Sequence, residues 1–258
     1  MRACVFVDGE NFRHSIGGLF PQFQQQDYLP KRANWAGLFD WIVENVVAQG
    51  ERIRTYWYVT KSIDFFPYRF PDPSRTPHPE VAKAELQTLL SKHKPYREEL
   101  EALDETSRAT RMEAIVSTLT QRQEDLTRRF SGWVAVQDAI AMGHKAIEFR
   151  RAGNIKCTLF DSEFGREKAV DVKLACDMIM LKDIYDIAII VSGDQDYVPA
   201  VEVIKDWGKR VVNVAFQTRR GDLLPGGARR LNQVTDWSFN IPYNALAQHL
   251  NIPLAPSP

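Results

Sequence analysis

The stretch DIAIIVSGDQDYVPAVEVI, from Asp186 to Ile204, sets a buried strand against a helix and puts two carboxylates in the turn between them. Ile187 to Val191 is an unbroken apolar run rich in β-branched residues, the pattern of a strand covered on both faces. Ser192-Gly193 ends it as a turn pair. Asp194 and Asp196 follow, and Val198, Val201, Val203 and Ile204 predict a helix from about Tyr197. Pro199 fits the first turn of that helix, where a missing N–H costs nothing. Carboxylates at the carboxyl end of a central strand stand where open α/β sheets bind their ligands. The plainer alternative makes Asp194 a helix cap and Asp196 a solvated turn residue.

The same geometry recurs at the start of the chain. Arg2 to Val7 reads as a strand ending in Asp8-Gly9-Glu10-Asn11, and Phe12, Ile16 and Leu19 form one face of a helix opened by Glu10 or Asn11. Gly17 to Pro30 reads as a surface loop. Trp35 to Val47 has helical spacing, Gly50 closes it, and Ile53 to Val59 is a second strand. Five prolines between Phe66 and Pro79 make a rim or lid. Glu80 to Arg129 is a charged helical segment broken at Pro95, while Gly132 to Met142 fits strand or helix. Ala146 to Arg151 and Ile155 to Phe160 read as strands joined by a Gly153-Asn154 hairpin, followed by a loop holding Gly165. Val172 to Leu181 is a helix with Asp171 before it, and Val211 to Phe216 a strand introduced by Gly208-Lys209. Gly221, Gly226 and Gly227 mark a loop or short helix. Trp237, Phe239 and Ile241 alternate as an edge strand, and residues 242–258 form a tail that frays from Pro253. Alternating strands and helices predict a doubly wound, mostly parallel α/β sheet covered by helices. That domain spans 1–241 and is interrupted by the insertion 66–142.

Within 258 residues, 33 basic side chains balance 33 acidic ones, so any surface for a polyanion must be local. No apolar run reaches the length of a membrane span, and the N-terminus enters a strand at once, which predicts a cytoplasmic protein. Cys4, Cys157 and Cys176 are odd in number, lack ligand spacing and lie among apolar residues. They read as reduced core thiols.

Asp8, Asp171, Asp194 and Asp196 all fall at strand–helix or loop–helix boundaries, which a parallel sheet brings to one edge. Gathered carboxylates repel, and Mg²⁺ or Mn²⁺ neutralises them well because hard cations take oxygen ligands. No His/Cys cluster argues for zinc. Each residue has a plainer role as well: Asp8 as a turn former, Asp171 as an N-cap, Asp177 as a solvated helix residue. There is no Ser-His-Asp or Cys-His pair, no phosphate-binding glycine loop and no dinucleotide turn.

Three blocks, VFVDGENF from Val5, KAVDVKLACDMIML from Lys168 and IIVSGDQDYVPAVEVIKDWGKRVVNVAF from Ile189, together resemble the NYN domain, a branch of the PIN-like nuclease superfamily, with a LabA-like character. The resemblance runs from the first strand to about Phe216 and leaves Phe66 to Met142 unmatched. It implies a PIN-like fold and metal-dependent cleavage of RNA. It puts family aspartates on Asp8, Asp171, Asp177, Asp194 and Asp196 and the family asparagine on Asn11. Tyr197 stands where the family has phenylalanine, a mild departure, and Ala169 where glycine is common.

In this reading Asp8, Asp171 and Asp194 hold the cation directly or through water, and Asp196 completes the surroundings or a second cation. Asn11 orients water or a phosphate, or simply caps its helix. Ser192 binds phosphate or fixes the loop. Asp177, six residues beyond Asp171, ranks lower. Lys168 and Lys173 contact phosphates or balance the carboxylates. Lys209, Arg210, Arg219, Arg220, Arg229 and Arg230, with Arg150-Arg151, suit a phosphate backbone. Trp57, Tyr58, Phe65, Phe66 and Tyr68 are candidates for base stacking or for the core. The rival reading is a non-catalytic RNA-binding or scaffold module. The apolar stripe Leu100, Leu103, Met112, Ile115, Val116, Leu119 and Leu126 demands burial, predicting a homodimer or an intramolecular partner.

Overall fold

Short apolar runs whose side chains alternate between two faces frame the protein, seen in a computed structural model that describes residues 1–21, 23, 28–66, 69–70, 79–160, 164–224 and 228–253. In chain order the elements are β1 (Arg2–Asp8), α1 (Gly9–Leu19), α2 (Trp35–Val46), β2 (Glu51–Phe66), α3 (Pro79–Lys92), α4 (Lys94–Glu101), α5 (Glu105–Gly143), β3 (Ile147–Thr158) and β4 (Phe164–Lys168). Then come α6 (Val170–Met180), β5 (Ile187–Val191), a 3-10 turn (Gln195–Tyr197), α7 (Val198–Asp206), β6 (Arg210–Gln217), β7 (Leu223–Leu224), α8 (Ala228–Val234), β8 (Trp237–Ile241) and α9 (Tyr243–His249). The chain divides into two units, Met1–Lys61 with Trp133–Gly153 and Ala169–Pro258, and Ser62–Gly132 with Asn154–Lys168.

In the first unit β1 lies between β2 and β5, parallel to both, and the parallel ladder continues through β6 to β8. Successive side chains of a strand point to opposite faces. Ala3, Val5 and Val7 accordingly pack with Phe12 and Ile16 of α1, Leu38 and Ile42 of α2 and Leu246 of α9. Cys4 and Phe6 pack on the other side with Leu174 and Met178 of α6, Val201 of α7 and Leu231 of α8. The sheet is doubly wound and mostly parallel, as expected. The connection from β1 to β2 crosses one face and that from β5 to β6 the other. The winding therefore reverses between β1 and β5, and a crevice opens at their carboxyl ends.

The second unit holds α3, α4 and most of α5, with the far ends of β2 and β3 and the antiparallel partner β4. Leu86, Leu90, Leu100, Ile115 and Leu119 are buried there, and Leu103, Met112, Val116 and Leu126 are half-buried. Gln123 clasps Phe70, accepting from its N–H at 2.8 Å and donating to its carbonyl at 2.9 Å. Arg122 donates to the Leu159 carbonyl at 2.7 Å.

Several expectations change. Gly153-Asn154 is no hairpin: β3 runs straight through it, Gly153 absorbing a positive φ of 60°. The reversal comes later, between β3 and β4, and Gly165 lies in β4 rather than in a loop. Gly132 to Met142 is helical, continuing α5, because Trp133, Val136 and Ile140 bury on one face and outweigh a glycine penalty of about 1 kcal/mol. β2 extends to Phe66, with Trp57, Tyr58 and Phe65 buried as core rather than offered to bases; Phe66 is exposed, and Lys156 lies 4.0 Å over its ring. Tyr68, Pro67, Pro71, Pro73 and Pro77 fall outside the described residues, as do Gly226, Gly227 and residues 254–258. Pro79 opens α3. Residues 243–252 are no tail, since α9 and the turn after it bury Leu246, Ala247, Leu250 and Ile252. Cys4 and Cys157 are buried thiols, but Cys176 is exposed on α6.

Candidate active site

Asp8 is the last residue of β1 and the N-cap of α1, so neither Glu10 nor Asn11 opens that helix. The turn is tight because α1 starts against β2: a Cβ on Gly9 would stand 2.2 Å from the Tyr58 carbonyl oxygen. Asp8 is 1% exposed. Its Oδ1 accepts from the Asn11 N–H at 3.1 Å. Its Oδ2 accepts from Asn11 Nδ2 at 2.6 Å, Ser192 Oγ at 2.8 Å and Tyr197 OH at 3.2 Å. Asn11 and Ser192 thus orient Asp8. Ser192 Oγ also accepts from the Asp194 N–H at 3.0 Å, which ties the end of β5 to the end of β1.

Asp171 arrives from α6. That helix leads down to the start of β5, so its first turn stands beside the end of β5, and Asp171 lies within that turn instead of capping it. An anion there is favoured by the helix dipole. The capping position is Ala169, whose φ of 71° is left-handed and explains why glycine suits it. Tyr197 OH reaches Asp171 Oδ1 at 2.9 Å, so one phenol stands between Asp8 and Asp171. Asp194 caps the 3-10 turn, its Oδ1 accepting from the Asp196 N–H at 2.9 Å. Asp196 is exposed beside it.

The electrostatics follow from this crowding. Burial pushes the Asp8 carboxyl up to about 6, against the pull of its hydrogen bonds from Ser192 and Asn11, and the charge of Asp171 adds to the rise. Asp171 is raised first by burial and further by the charges of Asp194 and Asp196, although the Tyr197 hydrogen bond pulls it down. Burial and the two carboxylates raise the Tyr197 phenol, which stays protonated. On the rim, Glu10 accepts from His14 and Arg13 at 2.9 and 2.7 Å; burial raises it, but these partners bring it down to about 2.

The remaining candidates separate. Asp177 does not face the crevice: buried on α6, it accepts from Lys173 at 2.8 Å, Arg150 at 2.5 Å and Tyr58 OH at 3.1 Å. Lys173 and Arg150 are committed to it, and Arg151 is committed to Gln137 and Asp138, so none of the three is a free phosphate contact. Lys168 is exposed at the end of β4, and no hydrogen bond or ion pair ties it to the carboxylates among the described residues. Arg219 and Arg220 are exposed just beyond β6, at the carboxyl edge, with Arg219 4.6 Å over the Tyr243 ring. Arg230, named in the sequence only within a basic stretch, donates to Gln195 at 3.2 Å, between Asp194 and Asp196. Tyr197 matters more than its place as a mild departure from phenylalanine implies, because a buried phenol needs a partner for its O–H.

No curated protein compared with the chain matches it. Among solved structures, the chain is similar to a protein of unknown function, VPA0982, from Vibrio parahaemolyticus, at 15% identity over 93% of this chain and 92% of that one, with a TM-score of 0.41. The NYN domain model matches residues 86–225. The match begins inside the helical segment that the resemblance left aside, so Asp8 lies ahead of it, and it runs on past Phe216. It includes both later blocks, with Asp171, Asp194, Asp196 and Tyr197, and takes in more than half of the chain. By that match the chain belongs to the NYN domain family.

Proposed function

We propose that the protein is a divalent-cation-dependent ribonuclease of the LabA-like kind, hydrolysing RNA phosphodiesters at the carboxyl edge of β1 and β5. The observation that carries this reading is the meeting of Asp8 and Asp171 on one phenol, with Asp194 and Asp196 near enough for their charges to bear on Asp171. The donor set is all oxygen, which suits Mg²⁺ or Mn²⁺. Among the described residues no three acidic, histidine or cysteine side chains close around one point. A cation there would rest on one or two carboxylates and complete its shell with water and phosphate oxygens, the usual manner of Mg²⁺. It would draw those one or two from Asp8, Asp171, Asp194 and Asp196. Bound there, it would acidify a water and stabilise charge on the phosphoryl oxygens.

The chain's own residues do the rest. Ser192 and Asn11 fix Asp8, and the Ser192 bridge sets the Asp194 backbone. Gln195 holds the Arg230 guanidinium at the acidic rim, and Tyr243 holds that of Arg219 beyond the end of β6, so two cations at the carboxyl edge are available to a phosphate backbone. The test is cleavage of single- and double-stranded RNA and DNA with Mg²⁺ or Mn²⁺ against chelator. Loss of RNA cleavage in chelator and its return with the ion is the expected outcome; absence of cleavage with either ion sinks the reading. Exchanging Arg219 and Arg220 for alanine should weaken RNA binding across sequences and reduce the salt slope by about 2. An unchanged slope would put the RNA elsewhere.

A homodimer through the second unit is the remaining part of the proposal, supported by half-buried Leu103, Met112, Val116 and Leu126. Leu100, Ile115 and Leu119 already bury within that unit, so the demand for a partner is smaller than the sequence implied. Met112→Glu should shift light scattering from dimer to monomer. A monomer in the unaltered chain at micromolar concentration would remove the dimer.

A further inference from the structure

We infer that the Tyr197 hydroxyl is a resident competitor of the divalent cation, bridging Asp8 and Asp171 in the cation's absence and setting how tightly the crevice binds it. The inference rests on the cation site proposed above and concerns what tunes it.

Two carboxylates from distant parts of the chain, one ending β1 and one in the first turn of α6, converge on a single point. In an all-oxygen site that is where a hard cation would bridge them. The point is taken by the Tyr197 oxygen, 3.2 Å from Asp8 Oδ2 and 2.9 Å from Asp171 Oδ1. The ring is 1% exposed and packs among Phe6, Tyr58, Leu174 and Val201, so the hydroxyl is held in place by its own core. Phenylalanine would fill the same space and leave the point free.

The thermodynamic consequence has a definite sign. The hydroxyl has one proton, which it donates to one carboxylate at a time, at the shorter distance to Asp171. This stabilises the cation-free form, where the repulsion between the carboxylates is otherwise unrelieved. Whatever stabilises only the free form weakens binding by the same free energy. A cation drawing on Asp8 and Asp171 together must displace the phenol. One that leaves the phenol in place keeps only Asp171, Asp194 and Asp196, and Asp8 stays outside its shell. Asp8 is further occupied by Ser192 and Asn11, which hold it on the protein side. Tyr197 is therefore a positioning residue that trades affinity for a preassembled carboxylate pair.

The test is Mn²⁺ binding followed by electron paramagnetic resonance and calorimetry, on the unaltered chain, Tyr197→Phe, and Tyr197→Phe combined with Asp194→Asn. Tyr197→Phe should bind Mn²⁺ about 10-fold more tightly, within the range over which groups around a metal shift its affinity, and the added Asp194→Asn should reverse the gain. Equal affinities for the unaltered chain and Tyr197→Phe would overturn the competitor while leaving the cation site standing. No binding by either would overturn the site itself, and this inference with it. Should Tyr197→Phe fail to fold, the unaltered chain labelled at tyrosine ¹³Cζ supplies the second measurement. Titration with Mg²⁺ should move one tyrosine resonance, and a spectrum unmoved at saturating Mg²⁺ would overturn the role of Tyr197.

Discussion

Asp194→Asn should lower RNA cleavage by about 100-fold or more, the scale of losing one charge-stabilising group from an active site, and leave the melting temperature where it was. The structure makes this substitution unusually clean. Asp194 Oδ1 caps the 3-10 turn by accepting from the Asp196 N–H, and an asparagine oxygen accepts equally well. The Asp194 N–H still donates to Ser192, so the tie between β5 and β1 survives. Only the negative charge is removed, and with it part of the repulsion that raises Asp171. Cleavage at an undiminished rate by the folded variant, freed of contaminating nuclease, would strike Asp194 from the site.

The largest stability loss is expected at Arg150. Its guanidinium meets Asp177 at 2.5 Å and Glu148 at 3.0 Å and lies 4.1 Å over the Tyr56 ring. Arg150→Ala leaves Asp177, whose side chain is 3% exposed, with Lys173 and Tyr58 alone. Removing one partner of a buried pair costs about 3 to 5 kcal/mol, and the surviving lysine puts the expectation at the lower end. Urea unfolding at neutral pH should show it, and a loss under about 1 kcal/mol would mean that Lys173 alone suffices. The pH dependence has a definite sign. Burial raises the Asp177 carboxyl, but hydrogen bonds from Lys173 and Arg150 and the arginine's charge hold it below its ordinary 3.8. Its contribution is therefore complete above 3.8 and is lost as the pH falls through the lower folded value. The gap between the unaltered chain and Arg150→Ala should narrow in acid.

Much of this was legible in the residues. β1 and β5 are apolar on both faces, so their burial, their central place and the aspartates that end them follow from pattern alone. Pro199 marked the start of α7 correctly. What pattern could not convey was direction in space. Asp171 and Asp177 share one helix, but only the partners Arg150, Lys173 and Tyr58, drawn from other elements or the facing turn, show that Asp177 looks away. Gly153-Asn154 carries the composition of a hairpin, yet a glycine with positive φ can also pass a strand straight on, and pairing with β4 decided the matter. Cys176 looked like core because its neighbours are apolar, whereas its own position on α6 faces water. Tyr197 was visible as one hydroxyl added to an expected phenylalanine; its weight came from what stood at both sides of it.

The pairing of Val7 with Val191 sets a timetable for synthesis. At 5 to 20 residues per second, the ribosome needs about 10 to 40 s to travel from β1 to β5. Until then the first strand has β2 at one edge and nothing to close the other, with apolar side chains on both of its faces. Asp8 meets Ser192 and Tyr197 only after that interval, so the crevice cannot form on a growing chain before β5 has emerged. A chain that stalls before Asp186 carries a sticky strand and no crevice.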